Sequence, residues 1–103
     1  MTKVRIAARA AADIVAISDY YQIKAGSPMS ARFAQAMKSC VSYIAQNPSA
    51  GSPRLAERMR MPTLRIWPVT GFPYIALYVA DAQDHRVIRV LHTSRDIPSS
   101  LRD

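Results

Sequence analysis

The stretch FPYIALYVA, Phe72 to Ala80, carries no charged residue and shows no alternation of polar with apolar positions. A short run of this kind, rich in aromatic and branched side chains, reads as a strand buried on both faces, because a half-buried strand would alternate. It is far shorter than the about 20 residues a helix needs to cross a bilayer. YIALYVA forms the strand itself, DAQD follows as a polar turn, and RVIRVLH reads as the returning strand. A strand covered on both faces constrains the whole chain, since other segments must supply its cover.

The first half supplies helices. KVRIAA alternates and predicts a short opening strand with Val4 and Ile6 on one face. From Ala8 the period lengthens. Ala10, Ile14, Ile17 and Tyr21 share one side of a helix running to about Lys24. AGSPMS interrupts it: Gly26 suits a helix C-terminus, Ser27 offers an N-cap and Pro28 suits the first helical position. Phe33, Met37, Val41 and Ile44 form the apolar stripe of a second helix, with Cys40 beside it, and Asn47-Pro48 ends it.

NPSAGSP is a loop by composition, and RLAERMRM after it is too short and too basic to assign. TLRIWPV reads as a strand with Pro68 at an edge or bulge. The order predicts an α+β fold: an N-terminal strand, a two-helix antiparallel hairpin, then a three-stranded antiparallel sheet (β-α-α-β-β-β) in one domain spanning residues 1–103. The hairpin covers one face of that sheet, and the other could be open.

Charge narrows the partners. The 14 Lys and Arg, eleven of them Arg, stand against 7 Asp and Glu and give a net charge of +7. Arginine pairs bidentately with carboxylate and phosphate, so an acidic protein or a nucleic acid is the natural partner, and a merely solubilising surface is the plain alternative. The single Cys40 excludes an internal disulfide, and its apolar helical setting reads as a buried small hydrophobe. With no secretory pattern at the start of the chain, a cytoplasmic location is expected and no membrane association.

The reactive residues do not assemble a familiar motif. His92, Ser94 and Asp96 are spaced as along a strand, where side chains two apart lie about 7 Å from each other and do not converge as a triad. His85 falls in the turn, His92 at a strand end and Cys40 on a helix, so no metal-ligand spacing appears, and no glycine-rich phosphate loop is present. No metal or cofactor is expected. Arg54, Arg58, Arg60 and Arg65, next to Trp67, form the densest basic cluster, read either as a nucleic-acid surface or as solvated cations beside a packed tryptophan. Tyr74 and Tyr78 share one face of their strand, where local packing is the ordinary role. His92 ends the last strand, and Arg95 and Asp96 begin the exit, where Asp96 caps a turn or pairs with Arg95.

LRIWPVTGFPYIALYVA and VIRVLHTSRDIPSSL resemble the C-terminal half of the ParE toxins, within the RelE/ParE superfamily of toxin-antitoxin modules. AARAAADIVAISDYY and SARFAQAMKSCVSYIAQNPSAG resemble its helical hairpin and the following loop. The resemblance implies a plasmid-stabilising growth inhibitor that acts on DNA gyrase and is neutralised by an acidic ParD-like antitoxin, with operator DNA bound only through the antitoxin complex. It is expected to inhibit by binding and to have no catalytic residues. The RelE branch of the superfamily instead cuts messenger RNA on the ribosome; on that reading Arg65, Arg89 and His92 are the candidate catalysts. An inactive relative that only binds its antitoxin is the third reading. Candidate contacts for target or partner are Arg58, Arg60, Arg65, Trp67, Tyr78, Arg89, His92, Arg95 and Asp96.

Overall fold

The apolar run does become the centre of the molecule. The computed structural model describes residues 3–80, 84–95 and 97. In chain order its elements are β1 (Val4–Ile6), α1 (Ala8–Ala25), α2 (Ser27–Gln46), α3 (Ala56–Met59), β2 (Leu64–Val69), β3 (Tyr74–Ala80) and β4 (His85–His92). The strands form one sheet in the order β1-β4-β3-β2, with β3 between two neighbours. Both pairings of β3 are antiparallel, whereas β1 lies parallel to β4 at the sheet's edge. Ile75 to Val79 are all buried. At about 1.5–3 kcal/mol for each large aliphatic side chain taken from water, this strand is a major source of stability.

Alternation along β3 divides the core in two. Ala76 and Tyr78 face the helical hairpin with Ala10, Ile17, Phe33, Met37, Cys40 and Ile44. Ile75, Leu77 and Val79 face the opposite way, into a second cluster with Leu64, Ile66, Leu91 and Ile97. That second face is not open. Leu55, Ala56, Met59 and Met61, from the RLAERMRM segment, pack over it through the short α3. A four-residue helix is below what periodicity detects, which explains why the segment resisted assignment.

The helices follow their stripes closely. Gly26, at φ 89°, sits between α1 and α2 and ends the first while opening the second. Ser27 is already helical and makes no side-chain cap; its hydroxyl accepts a hydrogen bond from Gln22 instead. Cys40 joins the buried stripe and Val41 flanks it, reversing their expected ranks. Pro68 lies on β2, an edge strand, where the missing N–H costs no ladder bond to a further neighbour. His85 is the first residue of β4, not a turn residue, and is buried. Residues 81–83 of the expected turn lie outside the described residues.

One irregularity organises β4. Leu77 pairs with Arg89 while Tyr78 pairs with Val87, so β4 bulges between them. The extra residue breaks strict alternation, and Val87 and Val90, three apart, both face the helices. Beside the bulge, Asp13 of α1 accepts hydrogen bonds from Arg89 Nε (2.8 Å) and the Val90 backbone N–H (2.9 Å). A second guanidinium nitrogen of Arg89 reaches the other carboxylate oxygen at 3.1 Å. Arg89 and Asp13 side chains retain only 10% and 17% exposure, so water screens the pair weakly.

Asp13→Ala is expected to destabilise the fold by about 3 kcal/mol, because it removes the carboxylate that the buried Arg89 guanidinium and the Val90 N–H share. Asp13→Asn, which keeps an oxygen for Val90, should cost less; urea unfolding of the two variants checks the order. Burial pushes the Cys40 thiol from 9.0 up to about 11. A group raised on folding stabilises fully below its unfolded value and loses that contribution as pH climbs through its folded value. The urea midpoint should therefore fall between pH 9 and pH 11, and less steeply in Cys40→Ala.

Candidate functional site

Where β4 ends against α1, a groove of about 260 Å³ gathers several of the chain's reactive side chains. Ala16, Ile17 and Tyr20 line it from α1, and Tyr74, His92 and Arg95 from the end of the sheet. Asp13 lines it too, so the carboxylate that anchors α1 also forms part of its wall. Tyr20 is half exposed and Arg95 is exposed. The Tyr74 ring stands edge-on to His92 at 5.3 Å. Burial raises the Tyr74 hydroxyl above its ordinary value, with Tyr21 and Tyr20 adding to the shift, so it remains a neutral donor at physiological pH.

The chain turns sharply after His92. Arg95 N–H donates to the His92 carbonyl, and Ser94 N–H donates to His92 Nδ1 at 3.1 Å. An accepting Nδ1 places the proton of the neutral ring on Nε2. Ser94 Oγ also lies 2.8 Å from Nδ1. Ser94 is thus within reach of His92, contrary to the extended-strand expectation, because a turn and not a strand joins them. The contact uses a nitrogen already engaged by a backbone donor, which is the wrong arrangement for activating a serine. Asp96 lies outside the described residues.

The other candidates separate. Arg65 and Trp67 alternate with Leu64 and Ile66 along β2, and the latter pair belongs to the second core. Arg65 donates to the carbonyls of Ser49 (3.0 Å) and Gly51 (2.7 Å), holding the loop after α2. Trp67 stacks on Tyr43 with centroids 4.4 Å apart and planes at 13°. Arg58 and Arg60 are exposed on and after α3, which covers the other face of the sheet. The dense basic run is therefore divided: the strand period turns Arg65 away from the second core, whereas Arg58 and Arg60 ride on the α3 segment that covers that core.

Tyr78 and Arg89 are both buried, at 0% and 9% exposure. Tyr78 donates to the Pro48 carbonyl and accepts from the Gly51 N–H, each at 2.9 Å. Its hydroxyl is raised above the ordinary value chiefly by burial, which outweighs the lowering by the Gly51 N–H and Arg65. Gly51 is required by proximity: a Cβ there would collide with the Tyr78 hydroxyl and lie 2.9 Å from the Ile66 carbonyl oxygen. Sequence patterning singled out neither Asp13 nor Tyr20. An acidic residue within the apolar stripe between Ala10 and Ile17 was the signal available for the first; an exposed tyrosine one position from the stripe gave none for the second.

The family model for the ParE toxin of the type II toxin-antitoxin system parDE matches residues 4–97. The chain belongs to the ParE toxin family. A solved structure titled as the chromosomal ParDE toxin-antitoxin system from P. aeruginosa shares this fold with a TM-score of 0.74. It is 23% identical, and the match covers 89% of this chain and 96% of that one. No curated protein matches the chain. For this ParE-family chain the α+β order of a strand, a helical hairpin and three further strands is thus the family's own architecture.

Tyr78→Phe is expected to cost about 1–3 kcal/mol, because it strands the Gly51 N–H and the Pro48 carbonyl. Gly51→Ala should cost about the same by forced displacement of the ring. Thermal unfolding of both variants and of the double variant measures this, and the two losses should not add, since both open the same clasp.

Proposed function

We propose that this ParE-family chain is a toxin that inhibits DNA gyrase by binding it and is neutralised by an acidic ParD-like antitoxin. One observation carries the preference for binding over catalysis. The groups that a phosphodiester-cleaving centre would recruit have structural partners: Arg89 is held by Asp13, Arg65 by the carbonyls of the loop after α2, and Tyr78 by the same loop. The net charge of +7 supports an acidic antitoxin, and the ParDE system to which the similar solved structure belongs supports a partner of the ParD type. Operator DNA would be reached through that complex, and the cytoplasm is where gyrase and antitoxin would be met.

A second reading is favoured by the groove itself. His92, Arg95, Tyr20 and Tyr74 line one cavity, where the histidine could move a proton while the Arg95 guanidinium stabilises phosphate charge, the two roles that cutting RNA on the ribosome requires. In a supercoiling assay with purified gyrase, the chain is expected to block supercoiling or trap cleaved plasmid while a ribosome-bound transcript stays intact. Cut transcript with normal supercoiling would establish the ribonuclease reading, and an absence of growth arrest would indicate an inactive relative. His92→Ala should leave toxicity nearly unchanged, whereas Arg95→Glu should weaken inhibition by about tenfold, equivalent to about 1.4 kcal/mol.

A further inference from the structure

Across the sheet from the hairpin lies a second concavity, of about 390 Å³, between the start of α1, the α3 segment and β4. Ala7, Met59, Met61 and Ile88 give it an apolar floor, and Arg9 and Arg89 border it. All four floor residues are half-buried: they belong to packed structure yet keep part of their apolar surface in water. The segment Arg58-Met59-Arg60-Met61 explains the composition. Its methionines turn inward onto the second core while its arginines stay exposed. Arg60 adopts a left-handed conformation, φ 54°, at the step between the two methionines. Among the described residues no carboxylate lines the cleft, whereas the His92 groove contains Asp13.

We propose that this cleft is the docking seat for an acidic segment of the antitoxin, which inserts one or two apolar side chains among Met59, Met61 and Ile88 and sets its carboxylates against Arg9, Arg58 and Arg60. The proposal rests on the toxin-antitoxin reading above and adds the place of contact. Charge complementarity names the occupant: an apolar floor bordered by Arg9, with the exposed Arg58 and Arg60 on the segment that carries its methionines, fits an amphipathic anionic chain. Methionine side chains adapt to an entering residue at little cost, and a desolvated apolar anchor ringed by charge is the arrangement that concentrates binding energy. Single-stranded nucleic acid fits less well, because among the described residues the floor offers no aromatic ring on which a base could stack.

The test uses the full chain co-purified with the product of the gene beside its own. Met59→Glu is expected to weaken that complex by at least about tenfold, while Met59→Leu retains it. Arg9→Glu, at an exposed position outside both cores, should slow association and reduce its salt dependence. A Met59→Cys variant carrying a photocrosslinker should capture the acidic segment. The native Cys40 is buried and its thiol pushed up to about 11, so it stays unlabelled at neutral pH. Wild-type affinity in both Met59→Glu and Arg9→Glu would overturn the seat while leaving the toxin-antitoxin reading intact. A wild-type chain that fails to bind the neighbouring gene product would sink that reading and the seat together. Capture of polyuridylate at position 59, with no protein captured, would overturn the proposal in favour of RNA.

Discussion

A single carboxylate joins the two halves of this molecule. Asp13 projects from α1 onto β4, where a bulge has released the Val90 N–H from the regular ladder and turned the Arg89 side chain toward the helix. Without an acceptor at this point, the Val90 N–H would be buried unpaired and the Arg89 guanidinium would lose its bidentate carboxylate, each at a desolvation cost. With it, the register of the sheet and the placement of the hairpin are set by the same few atoms. Other ion pairs differ in kind: Arg5 and Arg86 stand opposite each other on neighbouring strands and share Asp84 at an exposed edge, where such contacts contribute little.

The Asp13–Arg89 pair also separates two surfaces. On one side Asp13 lines a polar groove with His92 and Tyr74; on the other, Arg89 borders an apolar cleft with Met59 and Ile88. These concavities differ in the chemistry they offer. The first presents hydrogen-bond donors and acceptors around an aromatic wall, and the second an adaptable apolar floor beside Arg9. Two concavities of such different chemistry on so short a chain require a rigid division between them. The doubly buried β3 and the bridged bulge supply that rigidity.

Much of the fold is legible in local sequence patterns. The α1 and α2 stripes fall at helical spacing, Gly26 and Asn47 punctuate them, and the unbroken YIALYVA reads as an inner strand because burial on both faces leaves no room for polar residues. The cover of the second face is not legible in this way. Its helix is four residues long, and its methionines are interleaved with arginines, so the segment reads as basic although its apolar half is packed. The candidate site is legible only as separate residues. Arg65, Tyr78 and Arg89 are noticeable in sequence as cations and an aromatic, yet each is held by a contact with a residue at least 14 positions away.

Local periodicity and turn chemistry are properties of neighbouring residues, and for that reason the sequence by itself determined the element order, the core-facing side of each helix and the central place of β3. Pairing across the sheet belongs to residues far apart, and one bulge in β4 reassigns every face beyond it. The parallel docking of β1, the burial of Arg89 beside Asp13 and the split of the basic cluster between two faces were therefore decided by tertiary structure. The turn that brings Ser94 back to His92 belongs with them: its contact is short in sequence, but it forms where β4 leaves the sheet, after Thr93 N–H has made a last bond to the Pro73 carbonyl.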